Sequence, residues 1–276
     1  MTMSFHRIAP ALLALAGMQL LAPPASAASA GRRLQPPPVE QVSVRYMKDG
    51  LLTCRPATRE EAVRLWGGSS AVGLHVISPL RPLAARAAGL TITLRGTEQL
   101  EANPQAKAAF LKAADIWMSK LHTPVTIVID VDFGTKNFGT DFGPGVLGST
   151  RSQLLGDDAA YPEVTADLAE HRTATPPFPA TQLPTDVGAT TAVVAPSAIF
   201  RVLGEIDPVA DPEGEQASFG KPPAIGFNSE IRYAWDFNPE DGIPSDGMDF
   251  VATAVHEIGH VLGFNSMNGY KEDNPS

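Results

Sequence analysis

Residues 90–131 read LTITLRGTEQLEANPQAKAAFLKAADIWMSKLHTPVTIVIDV, and this stretch decides the fold. Its first five residues alternate between apolar and polar, which is typical of a half-buried strand. Asn103 and Pro104 predict a helix N-cap followed by proline at the first helical position. Apolar residues then recur at helical spacing, so we expect a helix over 104–121. Alternation returns in 125–131, and the resulting β-α-β unit predicts parallel strands with a right-handed crossover in an α/β fold.

The composition indicates a folded protein and excludes several functional classes. The chain has 276 residues, of which 43% are hydrophobic and 18% are charged, a balance typical of globular proteins. The formal net charge of −9 argues against nucleic-acid binding, because no basic stretch offsets it. Cys54 is the one cysteine in the sequence, which rules out an intramolecular disulfide and a cysteine-rich zinc ribbon or finger.

The first 30 residues have the pattern of a secretory signal peptide. A weak basic start precedes the apolar run 8–22, and the small-residue motifs 25–27 and 28–30 offer two cleavage positions. A membrane anchor is the alternative, but the run is shorter than the roughly 20 residues that span a bilayer. We therefore expect export of the mature chain to the periplasm or the medium, with no membrane span.

Two further regions follow the signal peptide. Residues 31–87 are interpreted as an N-terminal extension or pro-segment, with a strand at 42–46 and a helix at 59–66. Residues 88–276 are interpreted as the main domain. Shorter elements in that domain are predicted as strands at 146–150, 190–195 and 224–228, helices at 161–171 and 197–203, and loops at 173–184 and 207–220.

Residues 249–264, DFVATAVHEIGHVLGF, carry the chemistry. They contain H-E-x-x-H at His256, Glu257 and His260. On a helix these histidines lie one turn apart on one face, so both imidazoles can bind one zinc ion at about 2.0–2.1 Å. The apolar residues cluster on the opposite face: Val251, Val255, Ile258 and Leu262. Glu257 is placed to act as a general base on metal-bound water.

A buried helix with two merely hydrogen-bonded histidines is the structural alternative. It is disfavoured because a glutamate between two histidines on a polar stripe has no packing purpose. We expect Asp246 or Asp249 to cap this helix, and Trp235 and Phe237 to pack beneath it.

The continuation HVLGF, residues 260–264, resembles the metzincin metallopeptidases, whose pattern is H-E-x-x-H-x-x-G-x-x-H/D. These residues are also similar in sequence to the leishmanolysin-like branch of that family. The resemblance implies that His256 and His260 bind zinc and that Glu257 is the general base. It also implies that the helix ends and the chain turns at Gly263. The implied fold is a twisted mixed sheet packed on a helix, with the H-E-x-x-H helix below the sheet.

The third zinc ligand of that family is not matched, because Ser266 occupies its position. Three explanations remain open. The sequence is a piece of a longer protease, Glu272 or Asp273 supplies a carboxylate ligand, or the site is incomplete and inactive. The first is favoured, because the residues after Phe264 are too few for the family's lower subdomain and Met267 is too early for its Met-turn.

Two weaker signals concern metals. In some metzincins a thiolate from a pro-segment binds the zinc and keeps the enzyme latent, and Cys54 is either such a ligand or an unpaired thiol in the extension. Calcium is a further candidate cofactor, because two acidic groups lie in loops: Asp130, Asp132 and Asp141, and Asp207, Asp211, Glu213 and Glu215. Neither group has EF-hand spacing. His75, His122 and His171 are interpreted as structural or exposed.

The sequence as a whole predicts a secreted zinc metalloendopeptidase whose catalytic domain spans 88–276. It would hydrolyse protein or peptide substrates by metal-activated water. The strand at 224–228 is either the sheet edge that pairs with an extended substrate or an ordinary core strand. The first alternative function is a catalytically incomplete zinc-binding secreted or surface protein. The second is a carbohydrate- or calcium-binding module with an accidental H-E-x-x-H.

Overall fold

The computed structural model describes Leu34 and residues 41–68, 72–79, 89–157, 161–171, 193–231 and 234–265. The predicted signal peptide 1–30 and the Pro-rich loop 173–184 lie outside the described residues. The strands are β1 Gln41–Lys48, β2 Leu51–Pro56, β3 Leu74–Val76, β4 Thr91–Thr97, β5 Thr126–Gly134, β6 Lys136–Asn137, β7 Thr140–Asp141, β8 Gly148–Ser152, β9 Leu154–Asp157, β10 Val193–Pro196, β11 Ala224–Asn228, β12 Ala234–Asp236 and β13 Gly247–Asp249. The helices are α1 Arg59–Trp66, α2 Glu98–Glu101, α3 Pro104–Lys120, α4 Tyr161–His171, α5 Ser197–Val202, α6 Pro212–Phe219 and α7 Phe250–Leu262, with a 3-10 turn at Pro239–Asp241.

The predicted β-α-β unit is confirmed. Strands β4 and β5 pair in parallel, with Thr91 opposite Thr126, and α3 connects them. Asn103 is the N-cap of α3 and Pro104 its first residue. One face of the helix is buried against the sheet through Ala106, Ala109, Phe110, Ala113 and Ala114. Small residues dominate this face, so the helix lies close to the strands.

The main sheet has the strand order β2-β1-β8-β11-β5-β4-β3 within the described residues. Strands β4, β5 and β11 are parallel, β8 is antiparallel to β11, and β1 is antiparallel to β8. The molecule is therefore an α/β protein with a mixed sheet. Strand β11 pairs on both sides, with β5 and β8, so the core-strand interpretation of 224–228 is correct and the edge-strand interpretation is wrong.

The two faces of the sheet carry different layers. The larger hydrophobic cluster joins α3, α7 and residues such as Ile225 and Phe227 of β11. A smaller cluster on the opposite face joins α1 to β1 and contains Val42, Val44, Leu65, Trp66, Val146 and Ala224. Since side chains alternate along a strand, Ser43 and Arg45 of β1 point toward the α7 side.

Part of the predicted extension belongs to this sheet. Asp49 and Gly50 connect β1 to β2 with φ of 53° and 79°, the left-handed conformations that a tight two-residue hairpin requires. The β1–β2 hairpin pairs with the rest of the sheet through β1 and β8. Residues 41–56 thus lie next to β8, which contacts Glu257 of the H-E-x-x-H motif through Thr150.

One loop prediction is wrong in part. Residues 207–220 contain the helix α6, whose N-cap Asp211 accepts a hydrogen bond from Gly214 N at 3.2 Å. Asp211-Pro212 is an N-cap and first-turn signal of the same kind as Asn103-Pro104, although the acidic and glycine-containing composition favoured a loop. Among the described residues, no helix has the length and the hydropathy that a bilayer span requires.

Candidate metal centre

Helix α7 begins and ends where its capping residues predict. Asp249 is the N-cap and accepts from Ala252 N at 2.8 Å, which confirms one of the two predicted caps. Gly263 is the C-cap residue, with a left-handed φ of 106°, and Phe264 N donates to Gly259 O at 2.9 Å. These ends fix the last turn, on which His260 lies.

An aromatic cluster holds the start of α7 in the core. Phe250 has no exposed surface, and its ring lies 5.0 Å from Phe110, 5.1 Å from Phe227 and 5.2 Å from Trp235, between ring centroids. Phe237 lies 5.0 Å away, so the predicted packing of residues 235–237 beneath the helix is confirmed. Buried aromatic contacts of this kind fix the position of the helix.

The two histidines face one point. Their Nε2 atoms lie 2.9 Å apart. The Nδ1 atom of His260 lies 3.1 Å from the carbonyl oxygen of Phe264. A donor hydrogen at Nδ1 leaves Nε2 as the lone-pair atom, which is the arrangement of a metal-binding imidazole. The ring of His260 is therefore oriented by the C-terminal turn of its own helix.

Cys54 lies beside the two imidazoles. Its Sγ is 3.4 Å from Nε2 of His260. The ligand atoms of Cys54, His256, Glu257 and His260 all lie within 4.8 Å of one another. Two nitrogens on one tetrahedral zinc are about 3.3 Å apart and a nitrogen and a sulfur about 3.6 Å. The spacing and the donor types fit zinc, so these side chains could hold one ion.

The carboxylate of Glu257 is buried and fully engaged. Glu257 has no exposed surface. Its Oε1 accepts from Nε of Arg45, and its Oε2 accepts from Oγ1 of Thr150 at 2.7 Å. Glu257 is therefore held in a buried ion pair, a contact that the sequence pattern does not predict. Arg45 and Thr150 are residues that the sequence analysis missed.

Burial and neighbouring charges set the protonation of two of these groups. Burial, and after it the positive charge of Arg45, lowers the pKa of His256 to about 4, so the imidazole is neutral at pH 7 as a metal ligand must be. Burial, and then the negative charge of Glu257, raises the pKa of Cys54 to about 12. The thiol is thus protonated at pH 7 until a cation replaces its proton.

An opening beside His256 gives access to the site. A cavity of about 390 Å³ lies between the hairpin and the segment before α7, and Arg45, Met47 and Met248 line part of it. The β1–β2 hairpin therefore forms one wall of the approach to the histidines.

The acidic groups considered for calcium are engaged elsewhere. Asp130 pairs with Arg95, Asp132 accepts from Thr97, and Asp141 pairs with Lys136. In the second group, Glu213 pairs with Arg95 and Glu215 with Arg201. Among the described residues, the cluster with Cys54 is the group of three or more such side chains that could hold a metal.

The remaining predicted residues take no part in the described cluster. His75 Nε2 lies 2.8 Å from Glu101, and the exposed His122 contacts the carbonyl of Lys120. Glu272 and Asp273, the carboxylates considered as third ligands, lie outside the described residues, as does Ser266.

No protein-family model matches this chain, and neither the search of curated proteins nor the search of solved structures finds a match.

Proposed function

We propose that this chain is a secreted zinc-dependent endopeptidase with a metzincin-like catalytic domain. One observation carries the proposal. The Nε2 atoms of His256 and His260 lie 2.9 Å apart, and Cys54 Sγ of strand β2 lies beside them. The capped helix, the oriented imidazole of His260 and the neutral imidazole of His256 all support a metal site. The predicted signal peptide supports secretion.

The residues have distinct parts in the proposed reaction. His256 and His260 hold the zinc ion, which when bound supplies a Lewis acid and makes water acidic enough to attack at neutral pH. Glu257 takes the proton from the attacking water and delivers it to the leaving amine. For that step the carboxylate has to face the water, so Arg45 has to release it.

The test combines metal content with peptide hydrolysis. Purified protein should retain about one zinc ion per chain after dialysis. In a chain that also carries Arg45→Met, which removes the contact on the carboxylate, Glu257→Gln should keep the zinc and lose hydrolysis of an unstructured protein substrate. Glu230→Gln is the matched control, because Glu230 is an exposed glutamate that is not one of the clustered donors. An Arg45→Met, Glu257→Gln protein that cleaves as fast as the Arg45→Met protein would show that Glu257 is not the base.

The second candidate is a zinc-binding secreted protein without catalysis. Two contacts favour this second candidate. Cys54 provides a third donor next to the histidines, and Arg45 forms an ion pair with the carboxylate of Glu257. With Glu257 engaged, no carboxylate of the cluster is free to take a proton from an attacking water. This candidate predicts bound zinc with no hydrolysis under any condition, including conditions that displace the hairpin.

A further inference from the structure

We infer that the β1–β2 hairpin, residues 41–56, is an internal inhibitor that acts on the general base, with Arg45 as its blocking residue. The inference rests on the proposed peptidase function and concerns regulation of the same site. It assigns inhibition to an arginine–glutamate pair and to a strand position, beyond any contribution of the Cys54 thiol.

The contact between Arg45 and Glu257 is the first support. The side chains are 7% and 1% exposed, respectively, and Nε of Arg45 binds Oε1. Thr150 occupies the other oxygen. A general base has to come within hydrogen-bond distance of the proton that it removes. With both oxygens engaged and no exposed surface, the carboxylate has no place for the attacking water.

The position of β1 is the second support. It runs antiparallel along β8, from Gln41 opposite Ser152 to Arg45 opposite Gly148. Thr150 of the same strand binds Glu257, so this edge of β8 passes directly by the base. An extended peptide can bind a protein as an added strand on such an edge. Strand β1 occupies the place that a peptide would take.

The packing of the hairpin is the third support. Within the described residues, the larger hydrophobic cluster contains no residue from 41–56. The hairpin contributes only Val42 and Val44 to the smaller cluster, against α1. Its displacement would therefore leave the core around α3, α7 and β5 intact. Release of the hairpin would free the β8 edge and Oε1 of Glu257 together, and Thr150 of β8 would keep its bond to Oε2.

The first experiment weakens the hairpin contacts by substitution. Arg45→Met with Cys54→Ser should raise kcat/KM of the zinc-loaded protein about tenfold or more, equivalent to 1.36 kcal/mol per factor of ten. Amide hydrogen exchange of 41–48 and 148–152 should become faster, whereas α3 should be unchanged. Arg59→Met with Thr53→Ser is the matched control, because Arg59 is exposed and the hydroxyl of Thr53 donates to Leu51 O within β2.

The second experiment needs no substitution in the hairpin. A recognition sequence for an unrelated, site-specific protease is inserted after Gly68, an exposed residue that follows α1. Cutting should release the segment with the hairpin and raise peptide hydrolysis, and adding the released segment back should inhibit it. This arm keeps the test valid if Arg45→Met fails to fold.

The outcomes separate the two proposals. Equal hydrolysis before and after cutting, with unchanged exchange in the Arg45→Met, Cys54→Ser protein, overturns the inhibitor and leaves the peptidase. Bound zinc with no hydrolysis in any form, including the cut protein with a freely exchanging β8, overturns the peptidase function.

Discussion

Cys54 lies directly opposite Arg45 in the β1–β2 ladder. One position of the hairpin thus brings a thiol to His260 and a guanidinium to Glu257, which are three residues apart on α7. Because both contacts come from adjacent strands, any movement of the hairpin that breaks one contact also strains the other. His260 and Glu257 are therefore covered or uncovered together.

The buried ion pair of Arg45 and Glu257 should show strong energetic coupling. Arg45→Met and Glu257→Gln should each lower the free energy of unfolding by about 3–5 kcal/mol, because each leaves a buried polar or charged partner unpaired. The double variant should cost less than the sum, by about 1–3 kcal/mol. Urea unfolding of the metal-free protein at pH 7 measures all four states.

The exposed pair Arg64 and Glu60 is the control for this cycle. It is a surface contact at i, i+4 with an N–O distance of 3.2 Å, and its coupling should be only about 0.3–0.5 kcal/mol. Additive costs at Arg45 and Glu257 would mean that the two side chains do not interact in solution.

The Cys54 thiol should be unreactive in the folded, metal-free protein. Its pKa is raised from 9.0 to about 12 by burial and by Glu257, so the thiolate fraction at pH 8 falls by about a thousandfold. Alkylation by iodoacetamide, followed by mass spectrometry, should be slower than in urea-unfolded protein by about that factor or more. Equal rates in both states would contradict the burial of the thiol.

Much of the fold was predictable because local signals agreed with tertiary packing. The β-α-β unit had clear alternation, an N-cap and a helical stripe, and the helix at 161–171 was predicted with the observed bounds. The site helix had both caps in its sequence, Asp249 and Gly263. In these segments each residue type favours the conformation that it adopts, and the apolar residues of the pattern are the ones buried in the core.

The rest of the site depends on pairing between distant segments. The Asp49-Gly50 turn was a legible hairpin signal, and it would have placed Arg45 opposite Cys54. No local pattern, however, predicts that β1 pairs with β8, since their partners are about 100 residues apart. Thr150 and Arg45 therefore could not be assigned to Glu257 from the sequence, although the H-E-x-x-H helix itself could.

Acidification should remove the contribution of the Arg55–Glu61 pair. Hydrogen bonds from Arg55 lower the pKa of Glu61 from 4.5 to about 2 in the folded protein. The stabilisation is therefore present above pH 4.5 and is lost as the pH falls through about 2. Because the pair is partly exposed, its contribution is only about 0.2–1 kcal/mol.

The comparison of Glu61→Gln with the unmodified chain tests this pH dependence. The difference in free energy of unfolding should be visible at pH 6 and should vanish near pH 2. A difference that stays constant over this range would mean that Glu61 acts through its capping hydrogen bonds at Thr58 and not through its charge.

Gly263→Ala should destabilise the end of α7. Gly263 has φ of 106°, and a Cβ there would lie 2.8 Å from Cδ1 of Ile199. Strain and contact together should cost about 1–3 kcal/mol. Gly204→Ala is the control, because Gly204 also has positive φ, 74°, but no atom lies within 4 Å of its added Cβ. Thermal unfolding should therefore show a larger loss for Gly263→Ala, and equal losses would exclude the contact with Ile199.

Phe250→Ala should separate the stability of the core from zinc binding at the candidate site. The ring is fully buried among Phe110, Phe227 and Trp235, so its removal should cost about 3–5 kcal/mol. Phe264→Ala removes a ring that is 60% exposed and should cost much less. Because Phe250 lies more than one helical turn before His256, the folded fraction of Phe250→Ala should bind zinc with unchanged affinity. Isothermal titration below the unfolding temperature measures this, and a large loss of affinity would mean that the aromatic cluster also sets the orientation of the histidines.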